Sequence, residues 1–215
     1  MTDTRILDAA LSIAVIEAMA EAIEAQKEEL SALDSTVGDG DHGHNLAKAL
    51  AEAVRTVKAL DNPSLFEVWR TTGKTVQDSV GGASGLLFGA FFSGAARAVK
   101  AKTEAGPADV VEMLASGLAQ VQKRGKAQAG DKTMVDALIP AVQSGRAALA
   151  AELSLAQTLS RAADAAQAGA EATRPMIAKH GRAKFLADRS QGYQDAGATS
   201  IALMLGAWAG QVVGN

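Results

Sequence analysis

The chain has 215 residues, 48 % of them hydrophobic but only 4 % aromatic, and its 21 basic and 24 acidic side chains give a net charge of -3. No basic stripe is present that could displace counterions from a phosphate backbone, so a nucleic-acid partner is not expected, and the absence of cysteine excludes disulfides and thiolate metal sites. Asp3, Asp8, Glu17, Glu21 and Glu24 stand where a signal peptide would be basic and then apolar, and no uncharged apolar run is read as approaching the ~20 residues that span a bilayer. The expectation is a soluble cytoplasmic protein with no membrane partner, forming one domain over 1–215. Alanine, leucine, glutamate, glutamine and lysine dominate and period-two runs of β-branched residues are scarce, which is a helical composition. Ile6, Ala10, Ile13, Met19, Ile23 and Leu30 recur near the helical period and predict one amphipathic helix over 3–32. Further helices are predicted over 43–60, 64–79, 83–101, 107–124, 133–150, 154–178 and 196–212. Ser64 after Asn62-Pro63, Pro107 after Gly106, and Gly130-Asp131 mark helix starts. Eight helices with short connections predict an all-α antiparallel up-and-down barrel or bundle in which alternate loops lie at one end.

A bundle needs glycine only at its turns, yet the glycines gather in four polar clusters at 38–43, 81–85, 125–130 and 181–197. Gly81-Gly82-Ala83-Ser84-Gly85 places unhindered N–H groups and a hydroxyl at a helix N-terminus, which is either an anion site or simply a C-cap followed by an N-cap. Gly38, Gly40 and Gly43 satisfy G-x-G-x-x-G, but a helix precedes them instead of a strand, and Asp39 and Asp41 between them would repel a bare pyrophosphate. Gly73-Lys74-Thr75 lacks the first glycine of a Walker loop, Val68 standing in its place, and an EF-hand counted from Asp39 has Leu50 where glutamate is needed. What remains is a set of hard oxygen donors, Asp34, Asp39 and Asp41, on a glycine-loosened loop; Mg2+ with phosphate ligands arriving from outside suits it. His42 and His44 without cysteine are a weak zinc signature, and capping by Asp41 accounts for one carboxylate of the three. Arg182 in the last cluster could fork onto phosphate or pair with a carboxylate.

These motifs together resemble the nucleotide-binding L subunit of dihydroxyacetone kinase and the equivalent domain of single-chain ATP-dependent enzymes. The resemblance rests on Leu33-Asp34 with Gly38-Asp39-Gly40-Asp41-His42-Gly43 and Asn45, then on Ser79 to Gly85 with Phe88-Gly89. It continues through Arg124-Gly125-Lys126, Gly130 to Asp136, Gly181-Arg182-Ala183 and Gly192 to Ser200, in the family's order. It implies an eight-helix antiparallel barrel holding ADP or ATP at one end through two Mg2+ ions on Asp34, Asp39 and Asp41. It further implies nucleotide contacts from His42, Gly43, His44 and Asn45, from Ala83 and Ser84, from Gly125 and Met134, and from Arg182 and the turn Asp195, Ala196 and Gly197.

The resemblance also implies a phosphotransferase with half an active site. The ketose would be held covalently by a separate K subunit, and ADP would be rephosphorylated by a phosphotransfer-system protein. An ATP-exchanging kinase subunit, or a nucleotide-dependent regulatory module docking on another protein, are the alternatives. The chain departs from the family pattern at Ala196, where Asp-Pro-Gly is common, and at His44, often apolar.

Overall fold

A computed structural model describes residues 6–36 and 38–214; the first residues of the helix predicted over 3–32 lie outside this range. The remainder of that stretch is two helices, α1 (Ala9–Ala25) and α2 (Lys27–Ser35), followed by α3 (His42–Lys58) and α4 (Leu65–Ser79). Then come α5 (Gly82–Ala98), α6 (Pro107–Gly125), α7 (Val135–Ala150), α8 (Leu155–Ala172) and α9 (Ala196–Gly214), with 3-10 turns over Ala183–Ser190 broken at Ala187. Helix α1 packs on α3, each helix from α3 to α8 packs on its successor, and α9 returns to α1. Eight long helices thus close the expected all-α barrel, and α2 is a short ninth lying on α3.

The break at Gln26 escapes the hydrophobic pattern because both halves bury the same stripe, through Ile23 on one side and Leu30 on the other. At the break the N–H of Gln26 bonds the Ile23 carbonyl at 3.2 Å, three residues back, which tightens the last turn and swings α2 toward α3. The helix predicted to run to 178 stops at Ala172, because Pro175 lacks a donor and disfavours helical backbone at Arg174. Helix α7 begins at Val135, two residues after the expected start, since the Asp136 carboxylate folds back to accept the N–H groups of Gly130 (2.5 Å) and Thr133 (2.8 Å). The caps at Ser64, with Glu67 as reciprocal acceptor, and at Gly106-Pro107 fall where the sequence places them.

The reading that no run is long and apolar enough to cross a bilayer is corrected by α9: Ala196–Val213 meets that test by length and composition, and 56 % of it is buried inside the protein. Its apolarity is that of a stave packed on α8 and α1. The core of the barrel is aromatic where the staves meet. Trp69 and Trp208 stack with centroids 4.7 Å apart, and the Trp69 indole donates to Ser12 Oγ at 3.0 Å. Truncating either ring to alanine would cost roughly 3–5 kcal/mol.

Candidate functional site

The connections α2–α3, α4–α5, α6–α7 and α8–α9 follow alternate staves and enclose a cavity of about 760 Å³ at one end of the barrel, within the range of sites that bury a small organic ligand. All four glycine clusters contribute to it. One oxygen from each of Asp34, Asp39 and Asp41 lies within 4.8 Å of the others. Asp34, in the last turn of α2, is oriented by the chain that follows: its Oδ2 accepts the N–H of Gly40 at 2.9 Å and that of His42 at 3.4 Å. Two glycines make this curl feasible. A Cβ on Gly38 would lie 2.5 Å from Asp34 Oδ1, and Gly40 has φ of 76°.

Asp41 occupies the N-cap position of α3 but makes no capping bond, so capping does not account for its carboxylate. Asp39 pairs with Arg182, which holds its carboxyl below the usual carboxylate range and raises the guanidinium in turn. The donor set is oxygen-only, convergent and incompletely neutralised by one arginine, which fits a hard divalent cation and suits zinc poorly.

His42 is the first residue of α3 and is buried; burial lowers its pKa, so the ring is neutral near pH 7. Its Nε2 lies 2.9 Å from Ser200 Oγ and its Nδ1 3.3 Å from Ser84 Oγ. Because the Ser200 hydroxyl donates to the Ala196 carbonyl at 2.9 Å, the geometry assigns the proton to Nε2 and leaves Nδ1 to accept from Ser84. The ring therefore ties α3 and α9 to the start of α5 and holds a hydroxyl at the cavity wall.

Beside Ser84, α5 begins with no side chain capping it, so the N–H groups of its first turn retain their donor capacity. The turn before it is tight: Gly82 has φ of 69°, and a Cβ on Gly85 would stand 1.9 Å from the Val80 carbonyl oxygen. Leu86, Leu87 and Phe88 with Met134 supply an apolar wall. At the opposite edge Asp195 Oδ2 accepts the Ala198 N–H at 2.7 Å; burial pushes this carboxyl up to about 6, against the opposing pull of that N–H and of Lys132.

The structure brings most of the sequence-derived residues to this one cavity. His42 and Asn45 from α3, Ala83 and Ser84 from α5, and Gly125 and Met134 from the α6–α7 side line it with the three aspartates. Arg182 and the turn Asp195, Ala196 and Gly197 complete the ring. Gly43 and His44 are the exceptions and do not line it. Each step along α3 turns the side chain by about 100°, so the two residues after His42 face α2 and Asn45 swings back. A Cβ on Gly43 would be 2.0 Å from the Lys27 carbonyl oxygen, so this glycine is a helix-contact residue. His44 contacts Ser31 Oγ at 2.9 Å and the Glu28 carboxylate at 3.2 Å. Lys132, Thr133 and His180 line the cavity although sequence reasoning did not place them there. The signal for Lys132 lay in its position after Gly130-Asp131, in a loop where a left-handed backbone was foreseeable; His180 carried none beyond its nearness to Arg182.

The model of the DAK2 domain family matches residues 36–210. The chain is 39 % identical over 180 residues to the ADP-binding subunit DhaL of the PEP-dependent dihydroxyacetone kinase of Escherichia coli (strain K12), covering 84 % of this chain and 86 % of that one. It is 38 % identical to the corresponding subunit of kinase 2 of Listeria innocua, with 93 % of each covered. Among solved structures, the dihydroxyacetone kinase of C. freundii in complex with AMP-PNP and Mg2+ superimposes with a TM-score of 0.72 at 33 % identity, over 95 % of this chain but 34 % of that larger one.

Proposed function

The chain belongs to the DAK2 domain family, and from that membership we propose that it is the ADP-binding subunit of a cytoplasmic dihydroxyacetone kinase, acting with a separate K subunit that holds the ketose. The observation that carries the reading is the meeting of three carboxylates, an uncapped helix N-terminus and Arg182 around one nucleotide-sized cavity. Asp34, Asp39 and Asp41 are the residues that would hold Mg2+, and two ions is the number that the resemblance to the L subunit implies. Bound there, the metal supplies charge neutralisation at the phosphates.

The protein's own contribution is positioning. The first turn of α5 offers N–H donors to phosphate oxygens, and the Ser84 hydroxyl, whose proton goes to His42 Nδ1, fixes the start of that turn. Arg182, paired with Asp39, is the cation that can reach a terminal phosphate. The Leu86, Leu87 and Met134 side suits a base, which asks for apolar contact and little charge.

A phosphotransfer-system protein as the donor to bound ADP accords with the Lactococcus lactis relative, 35 % identical over 184 residues, which is described as PTS-dependent. The test is native mass spectrometry of the purified protein before and after chelation, followed by assay with a K subunit and dihydroxyacetone. ADP and Mg2+ that leave together on chelation, with ketose phosphorylation on reconstitution, are expected. A protein that takes up neither nucleotide nor Mg2+ refutes the reading.

A further inference from the structure

The 173–195 connection carries Arg182 and Asp195 to the cavity, yet it is a long excursion from the barrel whose 3-10 turns leave Phe185 77 % exposed. Something has to fix it. Two adjacent residues of the α6–α7 loop do so from opposite sides. The Lys132 ammonium, 4 % exposed, donates to the Thr173 carbonyl at 2.6 Å and the Tyr193 carbonyl at 2.5 Å, joining the two ends of the excursion. Asp131, 8 % exposed, accepts from Lys179 Nζ at 2.9 Å and His180 Nε2 at 3.0 Å, and its carbonyl accepts the Lys179 N–H at 3.2 Å. Lys132 therefore closes the base of the excursion, and Asp131 grips the residues that lead into Arg182. The neck is closed further by the Gly192 N–H on the Arg174 carbonyl at 2.8 Å.

A buried ammonium is expensive unless its surroundings need it, and Lys132 also sits in left-handed backbone with φ of 59°, an unfavourable conformation for a lysine. Its charge faces Asp195 and Asp136, with Arg174 opposing. A loop that merely had to turn could use a glycine here and leave the two carbonyls to water. Instead the ammonium bridges them at the wall of the cavity.

We propose that Lys132 is a positioning residue for the nucleotide site, which with Asp131 staples the 173–195 excursion so that Arg182 is held over the carboxylate loop. This rests on the nucleotide-site reading above. Lys132 touches carbonyls only, and acts through Arg182.

The test is a double-mutant cycle on the full chain, Lys132→Met and Arg182→Ala, with ADP binding in excess Mg2+ read by isothermal titration calorimetry. Lys132→Met alone should weaken ADP by about tenfold or more, since the buried Thr173 carbonyl and the Tyr193 carbonyl lose their shared donor. It should also speed hydrogen exchange of residues 174–192. In the Arg182→Ala background the same substitution should change affinity by less than about twofold, because the group it positions is gone. Lys132→Arg, which keeps the charge and two donors, should restore most of the affinity. Should Lys132→Met fail to fold, Asp131→Asn, which releases Lys179 and His180 from the other side, is read in the same cycle. Wild-type affinity in Lys132→Met, or an equal loss with and without Arg182, overturns the proposal; a wild-type protein that binds no ADP overturns the nucleotide-site reading instead.

Discussion

Gly38→Ala probes the carboxylate loop without touching a charge. The new Cβ would lie 2.5 Å from Asp34 Oδ1 and 3.2 Å from the Asp34 carbonyl oxygen, whereas such contacts do not fall below 3.0 Å. The carboxylate must retreat by about half an ångström, more than the ~0.2 Å tolerance of a metal–ligand distance. That retreat also strains the 2.9 Å bond from the Gly40 N–H that orients Asp34. Losing one hydrogen bond to a charged group is worth roughly 1.5–3 kcal/mol, or about one to two orders of magnitude in affinity. Gly38 is exposed and its backbone lies outside the left-handed region, so the backbone adds no strain of its own and the loss of stability should not exceed the roughly 1.5–3 kcal/mol of that internal bond. The assay is calorimetric titration with ADP, in Mg2+ and in chelator, alongside thermal unfolding. Affinity should drop in Mg2+ alone. Wild-type affinity in Mg2+, or an equal drop in chelator, would refute the placement of Asp34 as a metal ligand.

Arg182→Ala should move two affinities in opposite directions. Mn2+ alone should bind more tightly, because Asp39 loses its competing partner, while ADP with metal should bind more weakly; electron paramagnetic resonance of free Mn2+ and calorimetry check the pair, and parallel changes refute the arrangement. The Asp195 carboxyl, raised to about 6 from an unfolded value near 3.8, binds its proton more tightly when folded. Its contribution to stability is present in full below pH ~4 and is lost as pH rises through 6. Asp195→Asn, which keeps an acceptor for the Ala198 N–H, should flatten that part of the profile of melting temperature against pH. In the core, Trp208 Nε1 is the one buried side-chain polar atom without a hydrogen-bond partner among the described residues, whereas Trp69 Nε1 is bonded to Ser12. Both rings lose similar volume on substitution by phenylalanine, so urea unfolding should find Trp69→Phe more destabilising than Trp208→Phe by about 1–2 kcal/mol.

Much of the site was legible in the sequence because its parts are chemically unusual for a helical protein. Asp34, Asp39 and Asp41 among glycines admit few explanations other than a cation, and a glycine pair before Ala83-Ser84 announces an exposed helix start. Local chemistry also settled the caps at Ser64 and Pro107, since a cap is satisfied within three residues of itself. Where the sequence misled, a contact between distant segments decided. Gly43 sits within a stretch of cavity residues, yet helical rotation and the bend at Gln26 turn it onto the Lys27 carbonyl. His44 goes with it to Ser31 and Glu28. The apolar run of α9 looks the same whether it faces lipid or neighbouring staves, and only its packing on α1 and α8 distinguishes them.

The sequence by itself determined the helices from α3 onward, their order and the oxygen-donor character of the carboxylate loop, because periodicity, capping and carboxylate clustering are properties of neighbouring residues. The tertiary structure alone decided that four loops share one end, that His42 is a neutral bridge between two serines, and that Lys132 reaches across 41 residues to Thr173 and 61 to Tyr193. Those facts depend on closure of the barrel, which brings together groups whose separation along the chain carries no local signal.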